Sequence, residues 1–131
     1  MRPIPVGAQG RFELRVAQEH LANHFKDPIL PPVLATPVMV MIMENAALNA
    51  VKPYLDPGTV ALGTRVAVEH VAATPAGRTV CGQAEVTKFD GRRIEFVVRA
   101  LDEQEEIGRG THERVIVEVA KLQQRLQAKF G

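Results

Sequence analysis

A single stretch of sixteen residues, Thr36 to Val51, constrains the fold of this chain more than any other segment. Its sequence, TPVMVMIMENAALNAV, is apolar on nearly every side when wound as a helix, so such a helix must be buried over most of its surface. Thr36 followed by Pro37 is a helix-start signal: a capping side chain, then a ring at the first helical position. Pro53 disfavours helical geometry at Lys52 and so places the helix end near Val51. The rest of the chain has to wrap around this helix.

Five other segments alternate between apolar and polar residues at the period of a β-strand. Short turns that contain Gly or Asp follow three of the last four, which is typical of antiparallel hairpins and not of parallel crossovers. A final segment, VAKLQQRLQAKF, has the spacing of an amphipathic helix. The sequence therefore predicts an α+β fold in one domain over residues 1–131, a curled antiparallel sheet wrapped round the central helix plus a C-terminal helix. The predicted strands are RFELRV, TVALGTRVAVEHV, RTVCGQAEVTKF, RRIEFVVRAL and IGRGTHERVIVEV.

The composition argues against several classes of function. Net charge is +1 with acids and bases interspersed, so neither a nucleic-acid nor a membrane partner is expected. The segment MRPIPVGAQG lacks the apolar core of a signal peptide, and the longest uncharged run, residues 28–43, is too short and too rich in proline to cross a bilayer. The single Cys81 fits a reducing compartment, so a cytoplasmic location is expected. His20 and His24 have helical spacing without further ligands, and no metal or cofactor is expected.

Three polar residues interrupt apolar patterns, and each has a structural as well as a functional explanation. Thr36 can be an ordinary helix cap. Glu44 lies in the most hydrophobic part of the predicted helix, where a carboxylate needs an ion-pair partner, a proton or a cavity. His70 ends a strand in phase with Val66 and Val68, although a lone histidine at such a position is more often a polar strand end beside a turn. Together a hydroxyl, a carboxylate and an imidazole can form a hydrolytic site.

Five short segments, VLATPVMVMIME, PYLDPG, ALGT, VEHVAATPAG and GRGTHERV, resemble the fluoroacetyl-CoA thioesterase branch of the hot-dog-fold thioesterases in sequence, order and spacing. The resemblance extends over about residues 33–121. It implies a hot-dog fold and the hydrolysis of acyl-CoA thioesters. It further implies that Thr36, Glu44 and His70 are catalytic and that the amide of Gly63 polarises the thioester carbonyl.

The resemblance also bears on the substrate pocket. The motif THER places His112 and Arg114 on one strand face, where structural hydrogen bonding and contact with the pocket are both open. The family's aromatic lid before the catalytic helix is replaced here by HLANHFKDPILPP, which is shorter and keeps only Phe25. Met39 and the neighbouring helix methionines offer an adaptable apolar surface. We therefore expect short to medium acyl groups with loose discrimination, and no strong preference for fluoroacetyl-CoA.

The spacing of Gly63 and His70 bears on assembly. On one continuous strand, seven residues separate them by roughly 23 Å at ~3.3 Å per residue, so one chain cannot place both at a single thioester. Two chains can, if this strand pairs antiparallel with its symmetry mate near Val66 and Ala67. A homodimer is therefore expected, and whether pairs of dimers form is left open.

Two other functions stay open at this point. A non-catalytic acyl-CoA-binding module would have no use for the set of Thr36, Glu44 and His70. A hot-dog hydratase acting on enoyl-CoA would use an acid/base pair on a double bond, and no Asp/His helix motif supports it. Within the hydrolase interpretation, Glu44 either attacks directly or positions water, and Thr36 is either acylated or only a hydrogen-bond donor. Arg92 and Arg93 either face solvent or meet the phosphates of coenzyme A.

Overall fold

The predicted central helix is confirmed in the computed structural model, which describes residues 3–131. Residues on successive turns of this helix, including Met39, Ile42, Ala46 and Val51, have no exposed surface. The helices are α1 (Ala22–Phe25), α2 (Thr36–Val51) and α3 (Val119–Phe130), and the strands are β1 (Gln9–Arg15), β2 (Thr59–His70), β3 (Thr79–Phe89), β4 (Arg93–Leu101) and β5 (Glu106–Glu118).

The five strands form one antiparallel sheet in the order β1-β3-β4-β5-β2. Neighbours in sequence pair through short turns from β3 to β5, as the hairpin signals predict. The chain then places β2 on the outside of β5, and β1 forms the opposite edge beside β3. Because α2 contacts all five strands, the sheet curls around it, and the predicted α+β hot-dog architecture is confirmed.

Two glycines on the concave side of the sheet allow α2 to lie directly on the strands. A Cβ added to Gly82 of β3 would lie 2.7 Å from the carbonyl oxygen of Ile42, and one added to Gly10 of β1 would clash with the backbone of Ala46. Real Cβ atoms do not approach that closely, so any larger residue would push the helix away. The helix that carries two of the candidate site residues is therefore held against the sheet by backbone contact.

The edge strand β2 is exposed along its middle. Residues 62–67 are all exposed, including the large apolar side chains of Leu62 and Val66. A β-bulge interrupts the pairing with β5, because Gly63 lies opposite Arg114 while Arg65 lies opposite Glu113. An exposed edge strand of this length offers unpaired backbone groups on which another chain can add.

The segment before α2 folds back onto the start of that helix. It contains one 3-10 turn, Gln18–His20, and α1, and an isolated bridge joins Leu21 to Leu34. The N–H of Ala35 donates to the carbonyl of His20 over 2.9 Å.

At the other end of the chain, α3 leaves Leu126 and Phe130 exposed. Within residues 3–131, none of the helices combines the length and hydropathy that a bilayer span requires.

Candidate active site

The hydroxyl of Thr36 is not used by the helix that carries it. The helix starts one residue earlier than the sequence indicates: Ala35 occupies the N-cap position, and no side-chain cap is formed. Pro37 falls within the first turn and brings no N–H that would need such a cap. The prediction of Thr36 as a capping residue is therefore wrong, and its side chain is left available for another partner.

That partner is His70, the last residue of β2. Thr36 Oγ1 lies 2.8 Å from His70 Nδ1, and the direction of this hydrogen bond depends on the imidazole tautomer. Burial lowers the pKa of His70, and hydrogen bonding to the backbone of Ala72 opposes that shift. The second ring nitrogen, Nε2, is buried and has no partner at hydrogen-bond geometry among residues 3–131. The imidazole of this hydroxyl–imidazole pair (Thr36 and His70) thus has one nitrogen that forms no hydrogen bond to the described residues.

A cavity of about 400 Å³ lies beside the hydroxyl–imidazole pair. Among the described residues that line it, one carries a permanent charge: Lys26, at the end of α1, which sequence reasoning missed because nothing in that polar segment distinguishes it. Two predicted pocket residues do not line this cavity: Phe25 is 53% exposed, and Met39 is fully buried beneath β5 against Gly108. The lining residues are Ala22, Lys26, Leu30, Val33, Leu34, Thr36, His70, Val71, Ala72 and Ala73.

The carboxylate of Glu44 lies over the backbone of Gly63. A Cβ added to Gly63 would lie 3.1 Å from Glu44 Oε2 and 3.3 Å from His112 Cε1. Glu44 is only half-buried, and among the described residues it forms no ion pair, although Arg114 is close enough for their charges to interact. The absence of a side chain at position 63 therefore leaves room for a carboxylate beside an exposed strand backbone.

His112 and Arg114 hold the strand on both sides of Gly63. Arg114 donates to the carbonyl of Ala61 through Nε over 2.9 Å and through Nη2 over 2.6 Å. It also donates from Nη1 to His112 Nε2 over 3.2 Å. Because a guanidinium has no acceptor, His112 Nε2 must be unprotonated, and Nδ1–H donates to the carbonyl of Arg65 over 2.8 Å.

This arrangement of hydrogen bonds keeps the imidazole of His112 neutral. Burial is the largest cause that lowers its pKa, and the charge of Arg114 acts in the same direction. The ring also stacks on Phe96 with centroids 5.6 Å apart. Of the two roles that the sequence left open for His112 and Arg114, structural hydrogen bonding is therefore present, and it fixes the bulged segment that carries Gly63.

Within one chain the candidate residues form two groups. The hydroxyl–imidazole pair is one, and the carboxylate cluster, defined as Glu44, Gly63, His112 and Arg114, is the other. Eight residues of α2 separate Thr36 from Glu44, about 12 Å along the helix axis. His70 lies opposite Gly108 of β5 and Gly63 opposite Arg114, which places them roughly 20 Å apart along the sheet. The bulge accounts for a distance shorter than the continuous strand predicts.

Solved structures with the same fold define the class of this protein. The fluoroacetyl-CoA thioesterase FlK superposes with a TM-score of 0.91 at 36% identity, over 98% of this chain and 99% of that chain. A thioesterase superfamily member from Thermus thermophilus superposes with a TM-score of 0.90 at 34% identity, over 99% of this chain and 98% of that one. The chain is a hot-dog-fold thioester hydrolase.

The family follows from the sequence comparisons. The family model described as fluoroacetyl-CoA-specific thioesterase matches residues 16–120, a range that contains both groups of candidate residues. The fluoroacetyl-CoA thioesterase of Streptantibioticus cattleyicolor is 46% identical over 99 residues, 76% of this chain and 71% of the relative. The chain belongs to the fluoroacetyl-CoA-specific thioesterase family.

Proposed function

We propose that this protein hydrolyses short to medium acyl-CoA thioesters at a site assembled from two copies of the chain. Thr36 and His70 come from one copy, and Glu44 and Gly63 come from the other. The observation that supports this most directly is the separation of the two groups within one chain, roughly 20 Å along the sheet from Gly63 to His70.

The edge strand β2 supplies the means of assembly. Antiparallel pairing of two β2 strands about a two-fold axis near Val66 and Ala67 brings Gly63 of each copy opposite His70 of the other. The exposed apolar side chains of Leu62 and Val66 lie in the segment that such pairing would cover. A homodimer then contains two equivalent sites, each with a complete set of groups.

The chemistry requires an oxyanion donor, a proton carrier and a nucleophile. The N–H of Gly63 donates a hydrogen bond to the thioester oxygen as negative charge develops on that oxygen. Glu44 either positions the attacking water or attacks first, forming an anhydride that water then opens. A C–O bond to the acyl carbon replaces the C–S bond, and His70 passes the proton lost by water to the sulfur of coenzyme A. The products are a free acid and the thiol of coenzyme A.

The cavity beside Thr36 supports short to medium acyl groups. Its walls are mainly aliphatic, and the aromatic ring nearest in sequence, Phe25, is half exposed and outside the lining. We infer that the protein discriminates weakly among such acyl groups and does not strongly prefer fluoroacetyl-CoA. The unpaired Cys81 is consistent with a cytoplasmic place for this activity.

Mixing two inactive variants tests the composite site. His70→Ala and Glu44→Gln each remove one half of every site in their own homodimers. Refolded together in equal amounts, half of the dimers are mixed, and each mixed dimer has one intact site and one doubly defective site. The mixture should therefore regain roughly a quarter of wild-type turnover per chain.

Two other results would contradict parts of this proposal. No recovery on mixing, although mixed dimers are detected by mass spectrometry, would show that each site lies within one chain. Absence of thiol release from every acyl-CoA in a panel, with the wild-type dimer intact, would refute hydrolysis itself. The double variant that carries both substitutions on one chain, mixed with wild type, serves as the control for chain exchange.

A further inference from the structure

A second cavity, of about 310 Å³, lies where the end of β5 meets the start of α3. Three of its lining side chains are cations, Arg92, Lys121 and Arg125, and one is an acid, Glu118. The remaining lining is apolar and includes Ile116 of β5. None of these residues belongs to the two groups described above.

The charges in this cavity are only partly compensated. Lys121 Nζ lies 3.4 Å from Glu118 Oε2, so these two residues neutralise each other. Among residues 3–131, Arg92 and Arg125 form no ion pair. The adjacent Arg93 differs, because its Nη1 lies 2.7 Å from Glu113 Oε2. The structure therefore distinguishes Arg93, which is paired with a carboxylate, from Arg92, which is not, a difference that the sequence could not show. Within the described residues, the guanidinium groups of Arg92 and Arg125 lie in the cavity without an ion-pair partner.

The cavity lies a short distance from Gly63. The N–H of Ile116 donates to the carbonyl of Arg92 over 2.9 Å, and Ile116 follows Arg114 by two positions on the same face of β5. Since Gly63 lies opposite Arg114, Arg92 is two residues along the strands and two strand spacings across from it. That corresponds to roughly 12 Å between the backbones of Gly63 and Arg92, and the arginine side chain extends further.

We propose that this cavity binds phosphate groups of coenzyme A, with Arg92 and Arg125 as the phosphate ligands. The inference rests on the proposed function, because it takes the thioester carbonyl to lie at Gly63. In coenzyme A the pantetheine arm separates the sulfur from the phosphates, so a charged anchor at some distance from Gly63 is required. Guanidinium groups suit phosphate because they offer paired donors in a fixed plane.

Two thioesters with the same acyl group test this site. One is butyryl-CoA, and the other is the butyryl thioester of pantetheine, which has the arm but no phosphate. The variant is Arg92→Gln with Arg125→Gln, which removes both charges and keeps polar side chains. The matched control is Arg15→Gln, because Arg15 is also exposed but lies on β1, at the other edge of the sheet.

For butyryl-CoA we expect the double variant to raise KM by about 10- to 100-fold with kcat nearly unchanged. For the pantetheine thioester we expect no change, and Arg15→Gln should leave both substrates unaffected. Higher ionic strength should raise the KM of the wild type for butyryl-CoA and have less effect on the double variant. Equal losses on both thioesters, or no loss on butyryl-CoA, would overturn the inference.

Calorimetric titration with coenzyme A itself separates this inference from the proposed function. Weaker binding to the double variant than to the wild type supports the phosphate site even if no thioester is hydrolysed, in which case only the proposed function fails. Equal binding to both proteins overturns the phosphate site even if hydrolysis is observed. The same titration with coenzyme A that lacks its 3′-phosphate tells which phosphate group the arginines hold.

Discussion

Thr36 Oγ1 and His70 Nδ1 lie 2.8 Å apart, although 34 positions separate the two residues in sequence. The contact depends on Ala35 and not Thr36 being the N-cap residue of α2, which leaves the threonine hydroxyl without a capping role, and on β2 ending beside the first turn of α2. Thr36 has no capping role, and His70 Nε2 forms no hydrogen bond within residues 3–131, so the chemistry of this pair can be tested one side chain at a time.

For Thr36→Ala we expect a loss of kcat about one or two orders of magnitude smaller than that caused by removing the imidazole. Glu44 can activate water without the hydroxyl, so the threonine is needed only as a hydrogen-bond partner for His70. A capping role no longer offers a structural reason for a threonine here. Thr36→Ser is the control and should retain most activity; a loss as large as that of His70→Ala would identify Thr36 as the nucleophile.

His70→Ala should lower kcat by at least ~100-fold while the protein keeps its assembly, because the site loses its proton carrier. The wild-type pH profile provides an independent check. Burial lowers the pKa of His70, so the unprotonated base persists at lower pH than an ordinary imidazole. The acid limb of kcat/KM should therefore lie below the usual imidazole pKa of about 6.5, and residual activity of the variant should lack that limb. A limb above that value would contradict the assignment.

The sequence was sufficient for the elements of the fold, because their signals are local. A helix apolar on nearly every side was predicted to end near Val51, and α2 does end there. The reason given for that end is wrong, because Lys52 keeps helical geometry before Pro53 and begins a short 3-10 turn, Lys52–Tyr54. Period-two alternation located all five strands. It did not contain the strand order, which depends on β2 crossing to the outer edge of β5. Nor could it show the bulge beside Gly63 or the difference between Arg92 and Arg93, since both depend on what lies on the next strand.

The candidate site was predictable as a set of residues and not as an arrangement. Thr36 and Glu44 lie eight residues apart on α2, so the helix keeps them about two turns apart. Only the side-chain contacts of the folded chain show that Glu44 lies beside Gly63 and Thr36 beside His70. The tautomer of His112 also required the structure, because it follows from the single donor that Arg114 directs at Nε2.

Glu44→Gln tests the carboxylate without changing the packing. Glutamine keeps the size and most hydrogen bonding while it removes the charge, so we expect turnover to be abolished and substrate still to bind. An assay of thiol release measures turnover, and calorimetric titration with a non-hydrolysable acyl-CoA analogue measures binding. Near-normal hydrolysis by this variant would make Glu44 a structural residue.

The acyl preference can be measured with fluoroacetyl-CoA, acetyl-CoA and butyryl-CoA. Because the cavity beside Thr36 has mainly aliphatic walls and Phe25 lies outside it, we expect kcat/KM values within about one order of magnitude of one another. A specificity constant for fluoroacetyl-CoA far above the other two would refute loose discrimination. Phe25→Ala is the matching variant and should alter none of the three constants substantially.

Gly63→Ala tests the close approach of the carboxylate to the strand. The added Cβ would lie 3.1 Å from Glu44 Oε2 and 3.3 Å from His112 Cε1, so both side chains must move by a few tenths of an ångström. Backbone strain is not involved, because Gly63 does not have a positive φ. We therefore expect a melting temperature close to that of the wild type and a large loss of kcat, since Glu44 is displaced from the oxyanion donor.

Gly110→Ala is the contrasting variant, because its Cβ would collide with the backbone of Ala67 and Val68. It should lose stability and activity together, so a Gly63→Ala protein that unfolds as readily would show that Gly63 is needed for packing and not for catalysis.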